Sequence, residues 1–128
     1  MILNKNSKKF LAISSLMMAL AIALGAFGAH GLKTIVTDSM LVVYKTGVDY
    51  HFYNTLGLFA VSFMITLKPE SKKLVISAWM IIIGMIIFSF SLYLLVFLNL
   101  PILGAITPIG GSLLIIAWLI VAYSIIKE

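Results

Sequence analysis

Charges, prolines and glycines divide this chain into four long apolar runs: Phe10–Gly31, Tyr50–Leu67, Leu74–Leu98 and Thr107–Ile126. They are 22, 18, 25 and 20 residues long, 85 of the 128 in all. As α-helices they would measure roughly 27 to 38 Å. The hydrocarbon core of a bilayer needs about 30 Å. All four runs can therefore span, the third with some tilt. The pattern predicts an all-α fold: a four-helix transmembrane bundle forming a single integral membrane domain over residues 1–128.

The connection from Leu32 to Val48 is the one sizeable loop. Asp38 is a good N-cap, and Val36, Met40, Val43 and Tyr44 fall on one helical face. This predicts a short amphipathic helix lying at the outer interface. The second outer connection, Asn99 to Ala105, is short and apolar. Thr107-Pro108 then opens the last helix with a capping hydroxyl and a proline at the first helical position. So short a connection makes the last two spans an antiparallel hairpin. No repeat of 20–50 residues is evident.

Lipid tails are as apolar as leucine, so helices associate in the bilayer by close approach and polar contacts. Small residues mark where this happens. The first span offers Ala21, Gly25 and Ala29, with Gly28 beside them; the third Ser77, Gly84 and Ser91; the fourth Gly110, Ala117 and Ser124. Seven-residue spacing keeps one seam turned to a neighbour in a left-handed bundle. Gly110-Gly111 after Pro108 could present backbone N–H groups to an anion, but close helix packing is the simpler reading.

Composition agrees with this picture. The chain is 62% hydrophobic and 10% charged, against about half and a quarter in soluble domains. Mean hydropathy is +1.18. Without cysteine there is no disulfide, thiolate metal site or cysteine nucleophile. Net charge is +5, from nine lysines and no arginine. No aromatic-plus-basic stretch suggests nucleic acid. Lys5, Lys8, Lys9, Lys68, Lys72, Lys73 and Lys127 fall on one side of a four-span layout, and only Lys33 and Lys45 on the other. The positive-inside rule then places both termini in the cytoplasm of a cell-membrane protein. The first run also has a rival reading as a cleaved signal peptide, with Ala26-Phe27-Gly28 as cleavage site, although it is long for that.

Ionisable groups in or beside a span are expensive and need a partner or an aqueous opening. His30, Asp49 and His51 are such groups, all expected near the outer leaflet. Tyr50, Tyr53, Asn54 and Gly57 share a helical face at the i, i+3, i+4, i+7 spacing, with Thr55 and Ser62 to one side. Ser89, Ser91 and Tyr93 of the third span, and Thr107 at the start of the fourth, complete a candidate polar pocket. Much of this set has ordinary structural uses: interfacial tyrosine, helix-end aspartate, and interhelical hydrogen bonds worth about 0.6 kcal/mol each. Two histidines and an aspartate could ligate zinc, but their spacing is that of no metal motif, so no metal or cofactor is expected. There is no G-x-S-x-G, P-loop or GxGxxG sequence, and no catalytic residue is assigned.

Four segments stand out together: Gly25-Ala26-Phe27-Gly28-Ala29-His30-Gly31-Leu32, Thr46-Gly47-Val48-Asp49-Tyr50-His51, Phe88-Ser89-Phe90-Ser91-Leu92-Tyr93 and Thr107-Pro108-Ile109-Gly110-Gly111. They resemble the signature stretches of the domain-of-unknown-function 423 family of small bacterial membrane proteins. The resemblance covers about Phe10 to Trp118. It implies four membrane helices and a retained first helix, and it implies no activity. Asn54 stands where the family commonly has histidine, and Phe90 where glycine is usual. Asparagine keeps a hydrogen bond but cannot titrate, which favours packing over proton or metal chemistry. The function expected is association, with lipid, with copies of itself or with a larger membrane complex. The alternatives are a small oligomeric transporter or channel, and an outer-leaflet enzyme acting on lipid or quinone with His30, Asp49 and His51 as acid and base.

Overall fold

The computed structural model describes residues 2–128, and among them there is no strand. Five helices follow in order: α1 (Lys5–His30), α2 (Asp38–Leu67), α3 (Lys72–Met85), α4 (Ser91–Leu98) and α5 (Thr107–Lys127). A π turn over Ile86–Phe90 joins α3 to α4, so residues 72–98 form one continuous rod. The result is a four-rod helical bundle, as the apolar runs predict.

Local chemistry sets the helix ends. Asn4 Oδ1 accepts from Ser7 N at 2.9 Å to start α1, and Ser71 Oγ accepts from Leu74 N at 3.3 Å to start α3. Asn99 closes α4 in the left-handed region at φ 50°. There Leu100 N reaches Leu95 O at 3.0 Å and Asn99 N reaches Val96 O at 3.4 Å. That pairing satisfies the last carbonyls of α4.

Three expectations change. The amphipathic helix foreseen between the first two spans exists, but as the opening turns of α2 and not as a separate element. No proline interrupts residues 38–67, and Gly47 is tolerated inside the helix, so α2 runs on for 30 residues, about 45 Å. Its cap is Thr37, whose hydroxyl accepts from Met40 N at 3.3 Å. Asp38 instead sits in the first turn, where a carboxylate favours the helix dipole. Thr107 does not cap α5 either: the cap is Ile106, which offers no side-chain bond. The Thr107 hydroxyl is taken by Ser91, 2.6 Å away.

α1 packs on α2, α2 packs on the α3–α4 rod, and α5 packs on α3 and the π turn. One apolar core, around Phe10, Leu58, Ile81 and Leu114, fills the end nearer the termini. A second, around Leu32, Tyr44 and Leu92, fills the other. Asn4 Nδ2 donates to Ile65 O at 3.0 Å, and the Ser71 and Ser124 hydroxyls meet at 3.2 Å. Both ends of the chain therefore lie with the 68–71 connection at one end of the bundle.

The small residues divide by role. Ala21, Gly28, Ser77, Gly84, Gly110, Ala117 and Ser124 are buried, Gly25 and Gly111 are partly covered, and Ala29 is exposed. α3 and α5 touch backbone to backbone at Gly84 and Gly110. A Cβ on Gly110 would lie 2.4 Å from Phe88 N and 2.7 Å from Gly84 O.

By length and composition, Lys5–Thr34, Lys72–Leu98 and Pro101–Lys127 can cross a membrane. α2 falls short only through its polar residues, and the bundle covers these: His51, Thr55 and Ser62 are fully buried and Asn54 is 7% exposed.

Candidate functional site: a polar layer at mid-depth

His51 is close to the midpoint of α2, because that helix begins a dozen residues before the apolar run does. This moves the polar residues from the outer end, where the sequence places them, towards mid-depth of the bundle. The His51 Nδ1 atom is 2.8 Å from Tyr93 Oη of α4, and the bond runs in whichever direction the imidazole tautomer sets. The Phe90 ring packs edge-to-face with the imidazole, centroids 5.6 Å apart, and the Tyr44 and Tyr93 ring centroids are 5.3 Å apart. The approach of α4 to α2 depends on Gly47. A Cβ there would sit 3.0 Å from the Tyr93 ring and 3.2 Å from Ser89 O.

Two buried polar atoms in this layer have no hydrogen-bond partner, His51 Nε2 and Ser89 Oγ. Both residues are fully buried. Ser89 belongs to the π turn, a feature frequent at functional sites. One turn below, Thr55 Oγ1 reaches Met85 Sδ at 3.3 Å. Tyr44 Oη donates to Leu24 O of α1.

The other candidates are placed elsewhere. Tyr50, Tyr53 and Asn54 line a groove of about 500 Å³ between α2 and α5, with Phe88, Gly111 and Trp118. Asn54 Nδ2 donates to Tyr50 O at 2.9 Å, and Trp118 Nε1 donates to Asn54 Oδ1 at 3.4 Å. Trp118 lies against Gly57, where a Cβ would come within 2.3 Å of its ring. Ser91 and Thr107 form their own pair at the start of α5. His30 is exposed at the end of α1, and Asp49 is half-buried in a groove between α1 and α2.

The acid–base trio of the enzyme reading is thus not assembled. His51 is sealed inside, Asp49 is two residues away on another face of α2, and His30 stands at the bundle end. Among the described residues no group of three histidine, aspartate or glutamate side chains could hold a metal ion. Tyr44, Thr55, Met85 and Trp118 belong to these clusters, yet the sequence does not single them out as a set. Tyr44 shows there as one of an amphipathic face and Thr55 as a neighbour of the polar face; Met85 and Trp118 read as ordinary span residues.

Residues 24–111 match the family model described as protein of unknown function (DUF423). The chain is 41% identical over 120 residues to the UPF0382 membrane protein YwdK of Bacillus subtilis (strain 168), covering 94% of this chain and 98% of that one. It is 37% identical, over 94% of its own length, to UPF0382 membrane proteins of Staphylococcus haemolyticus and Haemophilus influenzae, covering 97% and 95% of theirs. No solved structure matches.

Proposed function

The chain belongs to the DUF423 family of membrane proteins, and from that premise we propose that it works by association within the bilayer and not by catalysis. It is read as a small accessory bundle of the cell membrane, with both termini cytoplasmic, that associates with lipid, with its own copies or with a larger membrane complex.

The observation behind this reading is the direction of its polarity. His51, Thr55 and Asn54 of α2 bond to Tyr93, Met85 and Trp118 of the neighbouring rods inside the bundle. What faces outward is apolar: Leu16, Leu20 and Ile22 of α1, and Ile115, Leu119 and Ile126 of α5. Without water, dispersion and close fit against such faces are the available chemistry. The orientation rests on the lysines, seven of which flank the end holding the termini. Purification in mild detergent with light scattering tests the reading: a particle heavier than one chain, or one carrying lipid or protein, is expected. A strictly monomeric, lipid-free particle contradicts it.

A second reading, a proton or small-solute pathway, draws on the unpartnered His51 Nε2 and Ser89 Oγ at mid-depth. Liposome flux with the wild type and His51→Leu separates the two. Flux no greater than in empty liposomes removes this alternative.

A further inference from the structure

We propose that the groove between α1 and α2, at the end of the bundle away from the termini, seats the phosphate of one anionic phospholipid. The proposal rests on the lipid-associating reading above and names the ligand and the place.

Away from the lysine-rich end the chain carries only four charged side chains: Lys33, Asp38, Lys45 and Asp49. Three of these, Lys33, Lys45 and Asp49, line a single cavity of about 310 Å³. Charge beside a span calls for a partner or an aqueous opening. Lys45 lies about 10 Å along α2 from Asp38, and Asp49 one turn further. Lysine stems reach outward while their ammonium groups stay at the polar boundary, so Lys33 and Lys45 present two cations at the mouth of the groove. Asp49 lines the same groove four residues beyond Lys45, one helical turn along α2. The summed charge of +1 complements one phosphodiester.

The α1 wall leaves room for such a guest. Gly25, Gly28 and Ala29 form it. The place of a Cβ on Gly28 is taken by the Tyr44 ring, which would be 2.5 Å away. At Gly25 a Cβ would meet Val48 only at 3.4 Å, and Ala29 is exposed. Gly25 thus has room for a methyl and no more; the space for a glycerol backbone is the open groove of about 310 Å³ beside the exposed Ala29, and the acyl chains would continue along the apolar outer face of α1.

The test uses the full-length protein, incubated with vesicles of equal phosphatidylglycerol and phosphatidylcholine and repurified. Retained phospholipid is then counted by mass spectrometry. One phosphatidylglycerol per chain is expected, favoured over phosphatidylcholine about tenfold. Lys33→Gln with Lys45→Gln, both exposed positions, should abolish the preference. Lys68→Gln with Lys72→Gln, at the opposite end, should keep it. Asp49→Asn should strengthen retention, because it raises the groove charge; circular dichroism checks that each variant remains helical. An unchanged ratio in the Lys33/Lys45 pair overturns the proposal, as does displacement by inorganic phosphate as complete as by phosphatidylglycerol. Retained lipid with no preference sinks the proposal alone. A lipid-free wild type sinks the proposal, and a lipid-free monomer the associating reading as well.

Discussion

The imidazole of His51 and the phenol of Tyr93 meet at 2.8 Å across the α2–α4 interface, 42 residues apart in the chain. This bond closes the mid-depth layer, because Tyr93 also stacks near Tyr44 and presses on Gly47. Double-mutant cycles place such bonds in membranes at about 0.6 kcal/mol on average and 1.7 at most. A cycle on His51→Phe and Tyr93→Phe, measured by unfolding in mixed micelles, is expected to give a coupling within that range. A coupling of zero would mean that the bond adds nothing to the fold.

Gly110 and Gly111 are adjacent and are expected to respond oppositely to alanine. At Gly110 the new methyl would meet fixed backbone at Phe88 N, Gly84 O and Phe88 Cα, all under 3 Å. α5 must then move off α3, at a cost of about 1–3 kcal/mol or more. At Gly111 the nearest atoms are Phe88 ring carbons at 3.5 and 3.6 Å, an ordinary contact. Gly111→Ala should be neutral or slightly stabilising in a helix. Thermal unfolding of both variants checks the contrast, and equal effects would refute the close crossing.

Gly57→Ala should turn the Trp118 indole out of its place, since a Cβ would come within 2.3 Å of the ring. The Trp118–Asn54 bond would be lost with it. In a Trp79→Phe background Trp118 is the only tryptophan left. Its emission is expected to shift on Gly57→Ala, and an unshifted spectrum would contradict the packing.

Much of the fold is legible in the sequence because a bilayer filters so strongly by length and apolarity. α1, the α3–α4 rod and α5 follow directly from their uninterrupted runs. α2 is different: Lys45 and Asp49 cut its apolar run at Tyr50, whereas helix propagation needs only that no residue break the backbone pattern. The helix therefore extends through both charges to Asp38, and the polar residues move inward with it. The π turn leaves no mark among Ile86, Ile87, Phe88, Ser89 and Phe90; its Phe88 backbone lies against Gly110 of α5, a contact between distant parts of the chain. Ser89, Ser91, Tyr93 and Thr107 are visible as polar residues, but their partners depend on how four rods dock. The Asn54–Trp118 pair is separated by 64 residues, and no local pattern encodes it.

Glu128 supplies a pH-dependent contact outside the spans. The Ser124 and Ser71 hydroxyls donate to its carboxylate, the latter at 2.8 Å, and with Lys73 and Lys68 they hold its carboxyl below the usual carboxylate range. The folded pKa is lower than the unfolded one. The contact's contribution is thus complete above the ordinary carboxylate pKa and is lost as pH falls through the lowered value. Ser124→Ala should raise the Glu128 midpoint in a carbon-detected NMR titration. A midpoint unmoved by that change would remove the serine as its cause.

α2 is expected to cross the membrane although it is the most polar of the four rods, because its neighbours cover His51, Asn54, Thr55 and Ser62. The chain has no cysteine of its own, so single Thr37→Cys and Lys68→Cys variants give clean probes at the two ends of α2. In intact cells, an impermeant maleimide is expected to label Thr37→Cys directly and Lys68→Cys only after permeabilisation. Equal labelling of both from outside, or of neither, would contradict it.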